Sequence, residues 1–220
     1  MLIFSTNILI VSLLYSAVAS GRSLPSSPDD IAIHRSIPNG YQYTAVTWKF
    51  LVDGEEVIFM GTVQELEAYK QSNELGSATS VPRSIIHARQ NDCQGLGCKD
   101  AVCHTKDPFG VEPAACDDDA AREGYLYLGN LGPDHKCGMG PQSCGQISCG
   151  SNCAIFWCNE NERYFEKDCS DFAVFADQVR SYCWWKEFSS ASCSDAVYKV
   201  QGQAWDHLEG FMVELQHAIC

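Results

Sequence analysis

The residues in this sequence with the most chemistry to offer are its cysteines. Four of them fall within CGQISCGSNCAIFWCN, residues 144–159, around the apolar run Ala154-Ile155-Phe156-Trp157. Sulfur at this density ligates a metal, acts as a nucleophile or staples the chain. A zinc site would draw on Cys98-x4-Cys103-His104 or on Asp134-His135-x-Cys137. Neither has the C-x2-C or H-x3-H spacing that brings two ligands together from one turn. A catalytic thiolate needs a histidine beside it and a group to orient that histidine. His104, His135, His207 and His217 are available, yet no cysteine stands in a recognisable nucleophile context. All 13 cysteines lie between Cys93 and Cys220, and the first 92 residues have none. Cysteines confined to one segment read as a disulfide-stapled module. The staple candidates are Cys93, Cys98, Cys103, Cys116, Cys137, Cys144, Cys149, Cys153, Cys158, Cys169, Cys183, Cys193 and Cys220. A bridge between Cys149 and Cys153 is geometrically conceivable if Gly150-Ser151-Asn152 forms a three-residue turn, with Cys144 and Cys158 one layer further out. The odd count leaves at least one thiol free or joined to another chain, so a disulfide-linked dimer is one expectation.

Carboxylates are the next candidates. Glu160, Glu162 and Glu166 follow the hairpin, and Asp117-Asp118-Asp119 form an acidic run. Glycoside hydrolysis needs two carboxylates opposed across a sugar. No local motif marks such a pair, so a hydrolase using Glu160, Glu162 or Asp168 is the alternative reading. Among the tryptophans, Trp157 reads as core, whereas Trp184-Trp185 at a helix end is a possible surface for binding, because adjacent residues leaving a helix rarely both bury. No catalytic residue, metal or cofactor is assigned.

The elements that position these residues are legible in outline. Leu2 to Tyr15 is apolar and Ala17-Val18-Ala19 has the small-residue spacing of a cleavage site, so residues 1–19 read as a secretory leader cut after Ala19. That stretch is shorter than the roughly 20 apolar residues a bilayer span needs. Residues 20–40 are rich in Ser, Pro, Asp and Gly and read as flexible. In residues 41–76, two β-rich runs flank Asp53-Gly54, a hairpin signal. Thr62-Val63-Gln64-Glu65 then has capping-box form and opens a helix to about Asn73, with Val63, Leu66 and Tyr69 or Lys70 on one side. This ββα unit, cysteine-free and ahead of a disulfide module, reads as a propeptide. The alternative is a small domain that stays attached. Residues 77–92 form a linker in which cleavage after Arg89 would free a module beginning at Gln90, although the site has one basic residue where kexin-type proteases prefer two.

Within residues 93–220, Asp117 to Gly129 predicts a helix with Ala121, Tyr125 and Leu128 inward and Gly124 weakening it. DCSDFAVFADQVRSYC predicts a second, with Phe172, Phe175, Ala176, Val179 and Cys183 on one stripe and Asp168 or Ser170 as cap. VYKVQGQAW and FMVELQHAIC bracket the turn-like DHLEG. Phe211, Val213, Leu215 and Ile219 alternate with polar residues, as in a half-buried strand. The expected fold is α+β: a disulfide-rich antiparallel sheet with two packed helices, preceded by the ββα unit. The net charge of −13 and pI near 4.7 disfavour nucleic-acid binding, and no membrane insertion is expected.

Residues 116–220 resemble a group of secreted cysteine-rich proteins of filamentous fungi, many of them candidate effectors. The resemblance rests on Tyr127-Leu128, Gly140-Pro141, Cys144-x-x-Ile-Ser-Cys149, Ala154-Ile-x-Trp-Cys-Asn-Glu160, the helix ending at Cys183, Val200-x-Gly-Gln-Ala-Trp205 and the terminal Cys220. Cys93, Cys98, Cys103, Cys137, Cys153 and Cys169 look additional to that pattern. The resemblance implies an extracellular protein with some likeness to small killer-toxin folds, binding a host or competitor protein or a cell-wall component. A killer-toxin-like antimicrobial is a further alternative and, with this acidic charge, would act on a protein target and not on a membrane.

Overall fold

The structure, a computed structural model, describes residues 40–73, 75, 101–103, 114–188 and 196–220. Ala19, Arg89, Cys93, Cys98, His104 and Cys193 lie outside them, and with them the expected leader, the expected processing site and three of the 13 cysteines. The described chain is mixed α+β, with three helices among three sheets.

The ββα elements form as their residues dictate. After β1 (Gln42–Tyr43), β2 (Thr47–Val52) and β3 (Glu55–Met60) pair antiparallel around Asp53-Gly54, whose φ values of 53° and 86° are those of a tight mirror-image turn. Helix α1 (Val63–Ser72) carries the capping box: Thr62 Oγ1 accepts from Glu65 N, and Glu65 Oε2 accepts from Thr62 N. Val63, Leu66 and Lys70 are its inward residues, and Tyr69 faces out.

The segment does not stand apart from the cysteine module. Strand β4 (Ala101–Cys103) and the short β5 (Cys116–Asp117) lead to helix α2 (Asp118–Gly129), and then to β6 (Lys136–Met139), β7 (Ser143–Gly150) and β8 (Cys153–Asn159). β2 pairs antiparallel with β6, and β1 pairs parallel with β7. With β9 (Phe165–Asp168) these make a four-stranded sheet in the order β3-β2-β6-β9. Val46, Trp48, Phe50, Val63 and Leu66 belong to the same buried core as the module's helices.

Helix α3 (Cys169–Cys183) follows, then β10 (Trp184–Phe188), β11 (Ala196–Val200), β12 (Gly202–Asp206) and β13 (Phe211–His217). VYKVQGQAW is therefore two strands. The chain leaves the small sheet β10-β11-β5 at the fully buried Gln201 and enters the six-stranded sheet β1-β7-β8-β13-β12-β4. α2 and α3 pack together on one face of that larger sheet. Trp157 lies 4.3 Å from Phe172, ring to ring, and Phe211 meets Phe172 and Phe175 edge-on at 5.3 and 4.8 Å. Gly124, unfavourable for a helix on its own, has a use in this packing. A Cβ there would sit 3.1 Å from both Ile155 Cδ1 and Ser148 Oγ, so the glycine lets α2 approach the sheet. Asp168 stands at the start of α3 without a capping bond, and its carboxylate instead pairs with Lys136.

Two expectations are corrected. Ser151 and Asn152, with φ of 52° and 59°, form a two-residue turn, so Gly150 opposes Cys153 and Cys149 opposes Ala154. One residue fewer in the turn puts Cys149 and Cys153 on opposite faces, which forbids their bridge. Cys144 does face Cys158 and bonds to it. Cys149 reaches Cys220, Cys153 reaches Cys116, Cys137 joins Cys169 and Cys103 joins Cys183. The second correction concerns β13, which is buried on both faces, including Met212, Glu214 and Gln216. Ile219, expected inward, lies past the strand end and is exposed.

Asn159, at the end of β8, is fully buried and joins three loops. Its Nδ2 faces the carbonyls of Met139, Gly140 and Arg163 at 3.2, 2.8 and 2.8 Å, and its Oδ1 accepts from Asn161 N at 3.0 Å. Asn159→Ala leaves these groups unpaired and is expected to lose about 2–4 kcal/mol in urea unfolding. A loss below about 0.5 kcal/mol would contradict this role. Glu214 gives a pH signature. Burial pushes its pKa up from 4.5 to about 8, against a hydrogen bond from Gln203. Between those values the folded chain keeps a proton that the unfolded chain has released. Stability through this group therefore falls as pH rises through that window, by about 1.4 kcal/mol per pH unit. Glu214→Gln is expected to flatten the slope and to be the more stable form at pH 8. Parallel pH profiles for the two proteins would contradict the assignment.

Candidate binding surface

The end of α3 generates the most exposed aromatic surface of the described chain. Cys183 is anchored to Cys103, and the next residue already begins β10, so the two tryptophans leave the helix as strand neighbours on opposite faces. Trp184 is 52 % exposed and Trp185 half-buried. On the same face as Trp184, Tyr198 of β11 lies 5.7 Å away, ring to ring, and Lys186 Nζ stands 6.0 Å over the Tyr198 ring. Tyr182, in the last turn of α3, is 73 % exposed.

Beside this aromatic strip lies an open groove of about 390 Å³, walled by the start of α2, by Val197 and Tyr198 of β11, and by Ser151 of the hairpin turn. Its charge is acidic. Asp117 is paired with Lys199 at 2.5 Å, and Asp118 with Arg180 Nη2 at 2.7 Å. Burial works against the Arg180 charge, but the hydrogen bond and charge of Asp118, together with Tyr125 and Asp177, outweigh it and raise its pKa. Asp119 and Glu123 line the same groove and have no ion pair among the described residues. The arrangement can hold a cationic group against carboxylates while a flat or apolar group lies on Trp184 and Tyr198.

The other sequence candidates are dispersed. Cys137 is taken up in a disulfide, so Asp134-His135-x-Cys137 offers no thiolate. His135 instead accepts from Lys70, with 2.8 Å between Nε2 and Nζ. His207 stacks beside Trp205, and His217 is exposed at the end of β13. Glu166 pairs with Lys49 at 2.6 Å, Asp168 with Lys136, and Glu162 is exposed on a loop. Among the described residues no group of three or more His, Cys, Asp or Glu is arranged to hold a metal ion. Tyr198, Tyr182 and Glu123 carry no motif in the sequence, and Asp119 stands out there only as part of the acidic run. The only signal for Tyr198 is the short alternating run VYKV beside two tryptophans, which does not say that β11 pairs with β10.

No protein-family model, curated protein or solved structure matches the chain. No helix among the described residues is long and apolar enough to cross a membrane.

An exposed tryptophan kept for contact and a core tryptophan respond differently to truncation. Trp184→Ala is expected to shift unfolding free energy by less than about 1 kcal/mol, and Trp157→Ala to lose about 3–5 kcal/mol. Urea denaturation of both variants is the check, and equal losses would mean that Trp184 belongs to the core.

Proposed function

We propose that the protein is a secreted, disulfide-stabilised, effector-like protein that acts by binding an extracellular target, without catalysis. The observation that carries this reading is the exposed pair Trp184 and Tyr198 beside an acidic groove, on a small sheet anchored by the Cys103–Cys183 bridge. Exposed aromatic side chains on a rigid support are what binding energy concentrates on. Asp119 and Glu123 select for cationic groups on the target, which belongs to a host or a competitor.

Five disulfides support an oxidising compartment and therefore secretion after loss of the leader. Each closes a loop and stabilises the fold by about 2–4 kcal/mol. A fungal source and a role in virulence rest on the resemblance of residues 116–220 to secreted fungal proteins. Effector-like binding is favoured over hydrolysis because Glu166 and Asp168, two of the carboxylates available after the hairpin, are committed to Lys49 and Lys136.

The test is retention on target surfaces. Labelled wild-type protein and a Trp184→Ala/Tyr198→Ala variant are incubated with intact host cells, competitor cells and insoluble cell-wall material. The wild type is expected to be retained by one of them, and the variant about tenfold less or weaker still. Equal retention of both proteins would refute the surface. Turnover of a glycan, abolished by changing one carboxylate, would refute a non-catalytic role.

A further inference from the structure

No disulfide joins residues 40–75 to the module, since none of the first 92 residues is a cysteine; hydrogen bonds, packing and the Lys49–Glu166 ion pair do. The contacts are nonetheless those of an integral part. Val46, Trp48, Val63 and Leu66 have no exposed surface. Gln64 holds β7 from both ends of its amide, donating to Ser148 Oγ at 3.0 Å and accepting from Cys149 N at 2.8 Å. Thr44 N donates to Cys144 O at 2.8 Å, and Gly145 is open because Thr44 lies over it: a Cβ there would come 2.2 Å from Thr44 O.

One contact in this interface depends on protonation. Lys70, only 3 % exposed, donates to His135 Nε2 at 2.8 Å and lies 4.9 Å over Phe50, while the His135 ring stacks on the same Phe50 at 5.7 Å. A lysine ammonium has no lone pair to accept with, so His135 must be neutral to receive this bond. Among the described residues, Glu67 and Asp134 are the charged groups that act on the pair. Glu67 lies one turn away on α1, 3.8 Å from Lys70, and faces the Tyr127 hydroxyl from α2; Asp134 adjoins His135 in sequence. Burial first and Lys70 second hold the His135 pKa below its ordinary value. Protonation would set two buried cations in contact, with Glu67 and Asp134 as partial relief.

We infer that residues 40–75 form a separable strand-donating partner that stays docked on the module when the linker is cut, and that acid releases it by breaking the Lys70–His135 contact. A cut at Arg89 would then yield a two-chain protein at neutral pH and a free module in acid. The interaction surface is the pair of strand edges at β6 and β7 together with the core hollow that Trp48 fills.

The sign is fixed by the shift. Above the ordinary histidine pKa of 6.5 the docked and released states are both neutral at His135. Below it the released state takes up a proton that the docked state resists, so docking weakens as pH falls. Glu214, whose proton is held more tightly in the folded state, acts in the opposite direction and cannot mimic this effect.

The experiment uses the full chain with a specific protease site inserted within residues 77–92. After cutting, native mass spectrometry and size exclusion are run at pH 7.5 and pH 5. The two pieces are expected to remain together at pH 7.5, and their Kd to rise by about tenfold or more at pH 5. His135→Gln keeps an acceptor that does not titrate and is expected to remove most of the pH dependence. Gly145→Val is expected to weaken docking at both pH values. Separation at pH 7.5 would overturn the docking. No change between pH 7.5 and 5, or the same change in His135→Gln, would overturn the acid release.

Discussion

Strand β8 has no exposed residue along its seven positions, so both of its faces have to be covered by other parts of the chain. One face carries Ile155 and Trp157 and receives α2 and α3. The other carries Ala154, Phe156 and Cys158, where Tyr43, Trp205 and Met212 pack. Its neighbours β7 and β13 share this burial, which is why Glu214 is held neutral there and why Gln146 and Gln216 are inside. A polar group so placed has to be hydrogen-bonded or uncharged. The disulfides follow the same geometry: Cys144–Cys158 locks β7 to β8 directly, and Cys116–Cys153 and Cys149–Cys220 fasten the turn end of the hairpin to β5 and to the C-terminus.

A second consequence is that residues 40–75 cannot be treated as an appendage. The four-stranded sheet needs β2, and Trp48 fills core space beneath it while its Nε1 donates to Gly61 O at 2.7 Å. A module beginning at Gln90 would expose the edges of β6 and β7 and the hollow left by Trp48. Such edges are open to pairing with another chain. The segment is therefore part of the folded state, held by contacts that are buried but not covalent, while the aromatic strip at β10 lies on a sheet it does not pair with.

Local signals are legible in the sequence. The Asp53-Gly54 turn, the Thr62 capping box and the inward stripe of α3 are each set by residues within one or two turns of one another, and all three form as read. Long-range features were not legible. Whether Gly150-Ser151-Asn152 makes a turn of two residues or three decides whether Cys149 and Cys153 share a face, and composition does not decide that; the irregularity between Gln146 and Ser148 then restores the register in which Cys144 opposes Cys158. The alternation of β13 implied one wet face, since sequence period cannot show that a second layer covers the polar side. The exposed partner of Trp184 was invisible for the same reason, because Tyr198 reaches it only through the pairing of β10 with β11.

The pattern of sulfur linkages is the most direct measurement of this architecture, because each bond reports which faces of which strands meet. Non-reducing digestion in acid, where thiol exchange is suppressed, followed by mass spectrometry of the linked peptides, would read it. The expected linkages are Cys103–Cys183, Cys116–Cys153, Cys137–Cys169, Cys144–Cys158 and Cys149–Cys220. A peptide joining Cys149 to Cys153, or Cys144 to any partner other than Cys158, would contradict the register of the central hairpin and with it the arrangement built around β8.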